Sequence, residues 1–117
     1  AAFQDMLSWC TANASRFHGR HDVTNHGHSR VPSNGWAGKW AKDQDWTEIQ
    51  ITTLTVREVL KSLGHHPAEI LNRWAERNWI LVTPDSKSKR SRPVRIEGAI
   101  MRCYCISREA MESCLGD

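Results

Sequence analysis

No apolar run in this chain approaches the roughly 18 residues needed to cross a membrane. No basic start leading into an apolar stretch marks a secretory leader. The four cysteines, Cys10, Cys103, Cys105 and Cys114, suggest no secreted disulfide framework. They are expected as free thiols in a reducing cytosol. No Cys-x-x-Cys is present, so the usual closed zinc site has no ligand set. Gly35-Trp36-Ala37-Gly38-Lys39-Trp40 contains Gly-Lys. It lacks the spacing and the final hydroxyl of the G-x-x-x-x-G-K-[ST] phosphate loop, so no nucleotide site is expected. No local signature supports a Ser/His/Asp or Cys/His triad. Asp43, Asp45 and Glu48 are close in sequence and are explained as a solvated loop. Internal repeats and low-complexity tracts are absent. These absences point away from an enzyme, and no cofactor, metal or membrane partner is expected.

What the chain does have is a basic segment in a telling place. A chain of 117 residues is expected as one domain, or a domain with an appended N-terminal segment, able to bury a core without disulfides or metal. Six Trp supply much of that core volume. The net charge of +3 is mild, but its distribution is uneven. From Lys61 to Arg95 there are eight Lys/Arg and three Asp/Glu, a net of +5, which leaves the rest of the chain at −2. Lys87-Ser88-Lys89-Arg90-Ser91-Arg92 places four cations in six residues.

The pattern around that segment gives the organisation. Phe3, Leu7, Cys10, Ala14 and Phe17 recur at helical spacing, predicting a helix from about Ala2 to Arg16. Residues 18–35 turn to His, Gly, Asn, Ser and Arg and read as a long exposed connection. Trp36, Trp40 and Trp46 mark short strands, and Trp46 to Ile51 alternates as a strand with one buried face. Thr55-Val56-Arg57-Glu58 fits a capping box opening a helix. Val56, Val59, Leu60 and Leu63 form its apolar side, and Gly64 stops it. His65-His66 makes a short turn, and Pro67 suits the first position of the next helix. That helix carries Ile70, Leu71, Trp74 and Ala75 inward and ends at Asn78. Trp79 to Val82 is a strand, Pro84-Asp85-Ser86 a turn, and Met101 to Ile106 a second strand after the basic loop. Ser107 is an N-cap for a last helix, Arg108 to Leu115. Helix, strand, basic loop, strand is the order of a winged helix.

Two elements are candidate DNA contacts. The second helix of the pair presents Glu69, Asn72, Arg73, Glu76 and Arg77 outward. Asn72, Arg73 and Arg77 can reach base edges or phosphates, whereas Glu69 and Glu76 repel phosphate. Paired ion bridges on a solvated face are the plainer account of the same residues. In the loop, Lys87, Lys89, Arg90 and Arg92 suit phosphate contact without sequence reading. His18, His21, His26 and His28, with Asp22 and Asn25, form a loose cluster, expected as a polar loop rather than a metal site.

The chain also resembles the C-terminal region of phage and integrated-element primase-helicase proteins, a group described as a domain of unknown function and as inactivated superfamily II helicases. The resemblance rests on Ser15-Arg16-Phe17 after the first helix, on Gly35-Trp36 and Trp46 to Ile51, and on the helix Val56 to Leu63. It continues through Ile70 to Ile80 in place of A-x-x-L-x-x-x-G-W-L, then Lys87 to Arg95 and Arg102-Cys103-Tyr104-Cys105-Ile106. Asn78 stands at the usual Gly. The resemblance implies a winged-helix appendage of a replication ATPase, in the cytoplasm of a bacterium or a phage-infected cell. The ATPase motifs lie outside the region, so no catalytic residue carries over. The chain starts Ala1-Ala2-Phe3 without Met, as a piece of a longer protein would.

The expected fold is therefore α+β. It is a winged helix, residues 36–117, preceded by a helix over 1–17 and an exposed loop over 18–35. The expected function is non-catalytic DNA binding, with DNA and other domains of a parent helicase or primase as partners. The alternative is a protein-interaction or dimerisation module, using the acidic helix face or exposed Trp36 and Trp40. A metal-dependent nuclease built on the His/Asp loop ranks third.

Overall fold

The computed structural model describes residues 2–20, 35–81 and 91–115. The first helix, α1, spans Ala2–Ala12, and a single 3-10 turn, Ala14–Arg16, follows it. The sequence stripe extends through both, but the last α-helical bond runs from the Asn13 N–H to the Trp9 carbonyl, and the Arg16 N–H then bonds to Asn13 in the tighter turn. Phe3, Met6, Leu7 and Cys10 are buried on α1, and Phe17 continues the stripe from β1, Phe17–His18. His18, expected at the start of the exposed connection, is thus a strand residue paired with Lys39. His21, His26 and His28 lie outside the described residues.

Strands β2 (Gly38–Trp40) and β3 (Glu48–Thr52) pair antiparallel, and β1 joins β2 in parallel. Alternation in β3 works as the sequence implies, with Ile49 and Ile51 fully buried. Gly38 is dictated by a close backbone approach. A Cβ there would sit 1.8 Å from the Gln50 carbonyl oxygen. Trp40, expected as an exposed interface residue, is instead 6% exposed. It meets Phe17 and Trp46 edge-on, and the Arg20 guanidinium lies 3.7 Å over its ring.

Helices α2 (Thr53–Ser62) and α3 (Pro67–Glu76) follow. Then β4 (Arg92–Ile96) and β5 (Ala99–Ser107) form a hairpin, and α4 (Arg108–Leu115) closes the chain. The strand order is β1-β2-β3-β5-β4. β4 falls between the basic loop and the strand expected at Met101 to Ile106, where the sequence reading places no strand. Its signal is present in retrospect, because Val94 and Ile96 alternate with polar residues before a two-residue turn. Glu97 and Gly98 both have positive φ, 49° and 86°, as a type I′ hairpin requires. Pro93 argues against a central strand and is tolerated because β4 is an edge.

Ile80 bridges Ile106 on the same side of β5 that β4 occupies. The backbone N–H of Leu81 donates to the Cys105 carbonyl at 2.7 Å, and Arg92 pairs with Cys103. Of the strand expected at Trp79 to Val82, the described residues 79–81 form a single bridge, aligned with β4 along β5, and Val82 lies outside the described residues. The tip of the β4–β5 hairpin is the Glu97-Gly98 turn, and Arg92, the described cation of the basic segment, lies at the other end of β4.

One face of the sheet, with Ile49, Ile51, Tyr104 and Ile106, joins residues of all four helices in the main core. The other face holds Val94, Ile96 and Cys103 with Trp36 and Met101 packed on them. The sheet curls around this second cluster. Its two edges approach, with His18 Nε2 3.7 Å from Glu97 and Trp36 Nε1 donating to Glu97 at 3.2 Å. This α+β arrangement is compatible with a winged helix.

Candidate nucleic-acid interface

The helix pair is built by its caps. The N-cap of α2 is Thr52, whose side chain accepts from the Thr55 N–H at 3.3 Å. The helix starts one turn before the expected T-x-x-E box, and Thr55 serves as the partner of the cap, its hydroxyl 2.6 Å from that of Thr52. At the other end Gly64 has φ 84°. His65 N–H donates to the Leu60 carbonyl and Gly64 N–H to that of Lys61, the two bonds of a Schellman motif. Pro67 occupies the start of α3 as its sequence position implies. His65 Nε2 lies 3.7 Å from Asp5, tying the turn to α1.

The C-terminus of α3 repeats the same motif with Asn. Asn78 has φ 60°, Trp79 N–H donates to Trp74, and Asn78 N–H donates to Ala75. This returns Trp79 onto the core, where it stacks on Phe3 at 4.4 Å while Trp74 meets Phe3 edge-on at 5.2 Å. Trp74, Ile80, Leu60 and Tyr104 are core residues as expected, but Leu63 is 45% exposed. It is the C-cap of α2, just past the helix's last turn.

With Leu71 and Trp74 buried, α3 turns Glu69, Asn72, Arg73, Glu76 and Arg77 to solvent. The expected outward face is thus reproduced residue for residue. Glu69 and Arg73 form no ion pair with each other. The Arg77 guanidinium lies 5.0 Å over the Trp79 ring, which holds it against the end of α3. Asn72, Arg73 and Arg77 therefore share one exposed helical surface.

Lys87, Lys89 and Arg90 lie outside the described residues. Arg92 does not project with a loop. It opens β4, its Nη2 donating to both Glu48 carboxylate oxygens at 2.6 and 2.7 Å and its Nε to the Cys105 sulfur at 2.9 Å. The sequence hides this partnership, because Glu48 lies in a different strand and is joined only by the sheet register. Arg102, not singled out from sequence, donates to the hydroxyl of Ser91 at 2.9 Å and also to its carbonyl. It fixes the end of the basic segment to β5. Arg95 is exposed on β4 and was also missed, together with the strand that carries it.

Cys103 and Cys105 share the second face of β5, as their spacing implies. Burial pushes Cys103 up to about 12, with the neighbouring Cys105 adding to the effect. Burial likewise pushes Cys105 to about 11 against the opposing pull of Arg92. These are structural thiols without nucleophilic character. Among the described residues no group of three His, Cys, Asp or Glu side chains is placed to hold a metal. None of the described helices is long and apolar enough to cross a membrane.

Comparison with known proteins gives one result. Residues 1–110 match the family described as the Cch helix turn helix domain. Neither the curated proteins nor the solved structures yield a match. The matched span covers α1 through the first turn of α4 and includes the α2–α3 pair. A helix-turn-helix family suggests DNA binding. The chain belongs to the Cch helix-turn-helix domain family.

Proposed function

We propose that this domain is a non-catalytic duplex-DNA-binding unit of a phage or mobile-element replication protein of the primase-helicase type. The observation that carries the reading is the exposed face of α3, where Asn72, Arg73 and Arg77 stand together directly after a capped helix-turn-helix corner. In this reading α3 approaches the major groove. Lys87, Lys89 and Arg90 add backbone contacts from a segment that begins two residues after Trp79-Ile80. Arg92 takes a supporting part, since Glu48 already neutralises it. The parent protein's other domains are then its natural neighbours, and the catalytic work is theirs.

Fluorescence anisotropy of a labelled duplex at two salt concentrations tests this. Affinity should fall steeply with salt, with a slope of about 0.9 per phosphate contact. Replacing Lys87, Lys89 and Arg90 with Ala should reduce that slope and weaken all sequences alike. Replacing Arg73 and Arg77 should weaken binding and flatten any preference among duplexes. A second reading, a protein-docking module, draws on Glu69 and Glu76 on the same face. It is favoured if no duplex binds at low salt.

A further inference from the structure

Away from α3, a cavity of about 380 Å³ opens where the start of α2 meets β5 and the segment leading into β2. Its walls divide into two chemistries. Trp36, Leu54 and Met101 supply apolar surface, and Leu54 is 66% exposed although it sits second in α2. Arg16 and Arg102 bring two cationic residues to the lining, the Arg102 guanidinium braced by its bonds to Ser91, against the single acidic residue Glu58. The Trp36 ring is held in place by its hydrogen bond to Glu97 and by the His18 ring, edge-on at 5.1 Å. An indole fixed in this way presents its surface at low entropic cost.

The size selects the occupant. A cavity of this volume is at the lower end of small-ligand sites. It is too small for a docking helix, whose diameter alone is about 10–12 Å. A flat aromatic group with an anionic tail matches both halves of the lining. In nucleic acid that group is a nucleotide out of the duplex stack, its base on the aromatic and its phosphate on the cations. We propose that this cavity is a slot for one unpaired nucleotide of DNA, so that the domain engages a duplex where a single strand leaves it. The proposal rests on the reading that the chain binds DNA.

The test is anisotropy with two probes, a blunt duplex and the same duplex carrying a single-stranded oligothymidine tail. For the unaltered chain the tail should improve affinity by about tenfold, within the range for one stacked base. Trp36→Leu should abolish that gain and leave the blunt duplex unchanged, while Trp36→Phe keeps most of it. Equal affinity for the two probes in the unaltered chain, or a full tail gain in Trp36→Leu, overturns the slot and leaves duplex binding standing. Should Trp36→Leu fail to fold or bind neither probe, so that no gain can be read, Leu54→Glu decides, because this exposed side chain lies outside the core. It must cut the tail gain alone, and an undiminished gain overturns the proposal. Binding of the tailed probe without the blunt one supports the slot and refutes the duplex reading. Failure of both probes refutes both.

Discussion

Trp74→Ala is the sharpest test of how α3 is attached. Only Leu71 and Trp74 are fully buried on that helix, and Trp74 retains 3% of its surface. Truncating a buried Trp removes its transfer free energy and leaves a cavity, together about 3–5 kcal/mol. Part of that sum is the edge-on contact with Phe3 at 5.2 Å, worth about 0.5–1.5 kcal/mol in comparable pairs. A double-mutant cycle with Phe3→Leu separates the two contributions. Urea denaturation followed by far-ultraviolet circular dichroism is the assay, with stability taken from the midpoint at constant slope. Since single domains hold about 5–15 kcal/mol in all, the variant should stay folded at low denaturant with a much lower midpoint. A cost below about 1 kcal/mol would refute the attachment described above. So would a coupling energy near zero between Phe3 and Trp74, for the ring contact alone.

Asn78→Gly should stabilise by about 0.5–1 kcal/mol, and Asn78→Ala should destabilise, because φ is 60° and only glycine takes that conformation without cost; thermal melts of both variants check the sign. Gly38→Ala should destabilise by about 3 kcal/mol or more, above ordinary overpacking, because the new Cβ meets the Gln50 carbonyl at 1.8 Å and backbone cannot step aside; a stable Ala variant would show that β2 and β3 do not pair in this register. The thiols predict a pH trend. Folded Cys103 and Cys105 titrate at about 12 and 11, whereas unfolded thiols ionise near 8.5. Above about pH 9 the unfolded chain therefore binds fewer protons than the folded one, and stability must fall as pH rises. Melting temperatures between pH 8 and 10 should show the decline, with a shallower slope for Cys105→Ala.

Much of the helical architecture was legible because helix signals are local. Gly64, Pro67 and Asn78 each state a backbone requirement that no neighbour can override, and the outward face of α3 follows from 3.6-residue periodicity. The hairpin was half legible. β5 carries strong strand formers, whereas β4 contains a proline and ends in Glu-Gly, a weaker turn signal than Asn-Gly. What the sequence could not convey is register. Arg92 reads as a loop cation until the sheet places Glu48 beside it, and Trp40 reads as exposed until Phe17, Trp46 and Arg20 surround it. The same holds for the candidate slot, whose lining comes from separate stretches of chain. The basic segment was recognised as charged, but its attachment to β5 required the pairing of Ile80 with Ile106.

That attachment has an evolutionary consequence. A loop at a hairpin tip is bound to the register of its strands, and one added residue would turn every following side chain to the opposite face. Leu81 and Arg92, on either side of residues 82–90, instead lie beside Cys105 and Cys103 of one strand, with Arg102 holding Ser91. The length of the segment between them is thereby uncoupled from the sheet. Doubling such an insertion costs only about 0.6 kcal/mol in closure entropy. The fold can thus exchange, lengthen or recharge this segment between relatives while β4, β5 and the core beneath them stay as they are.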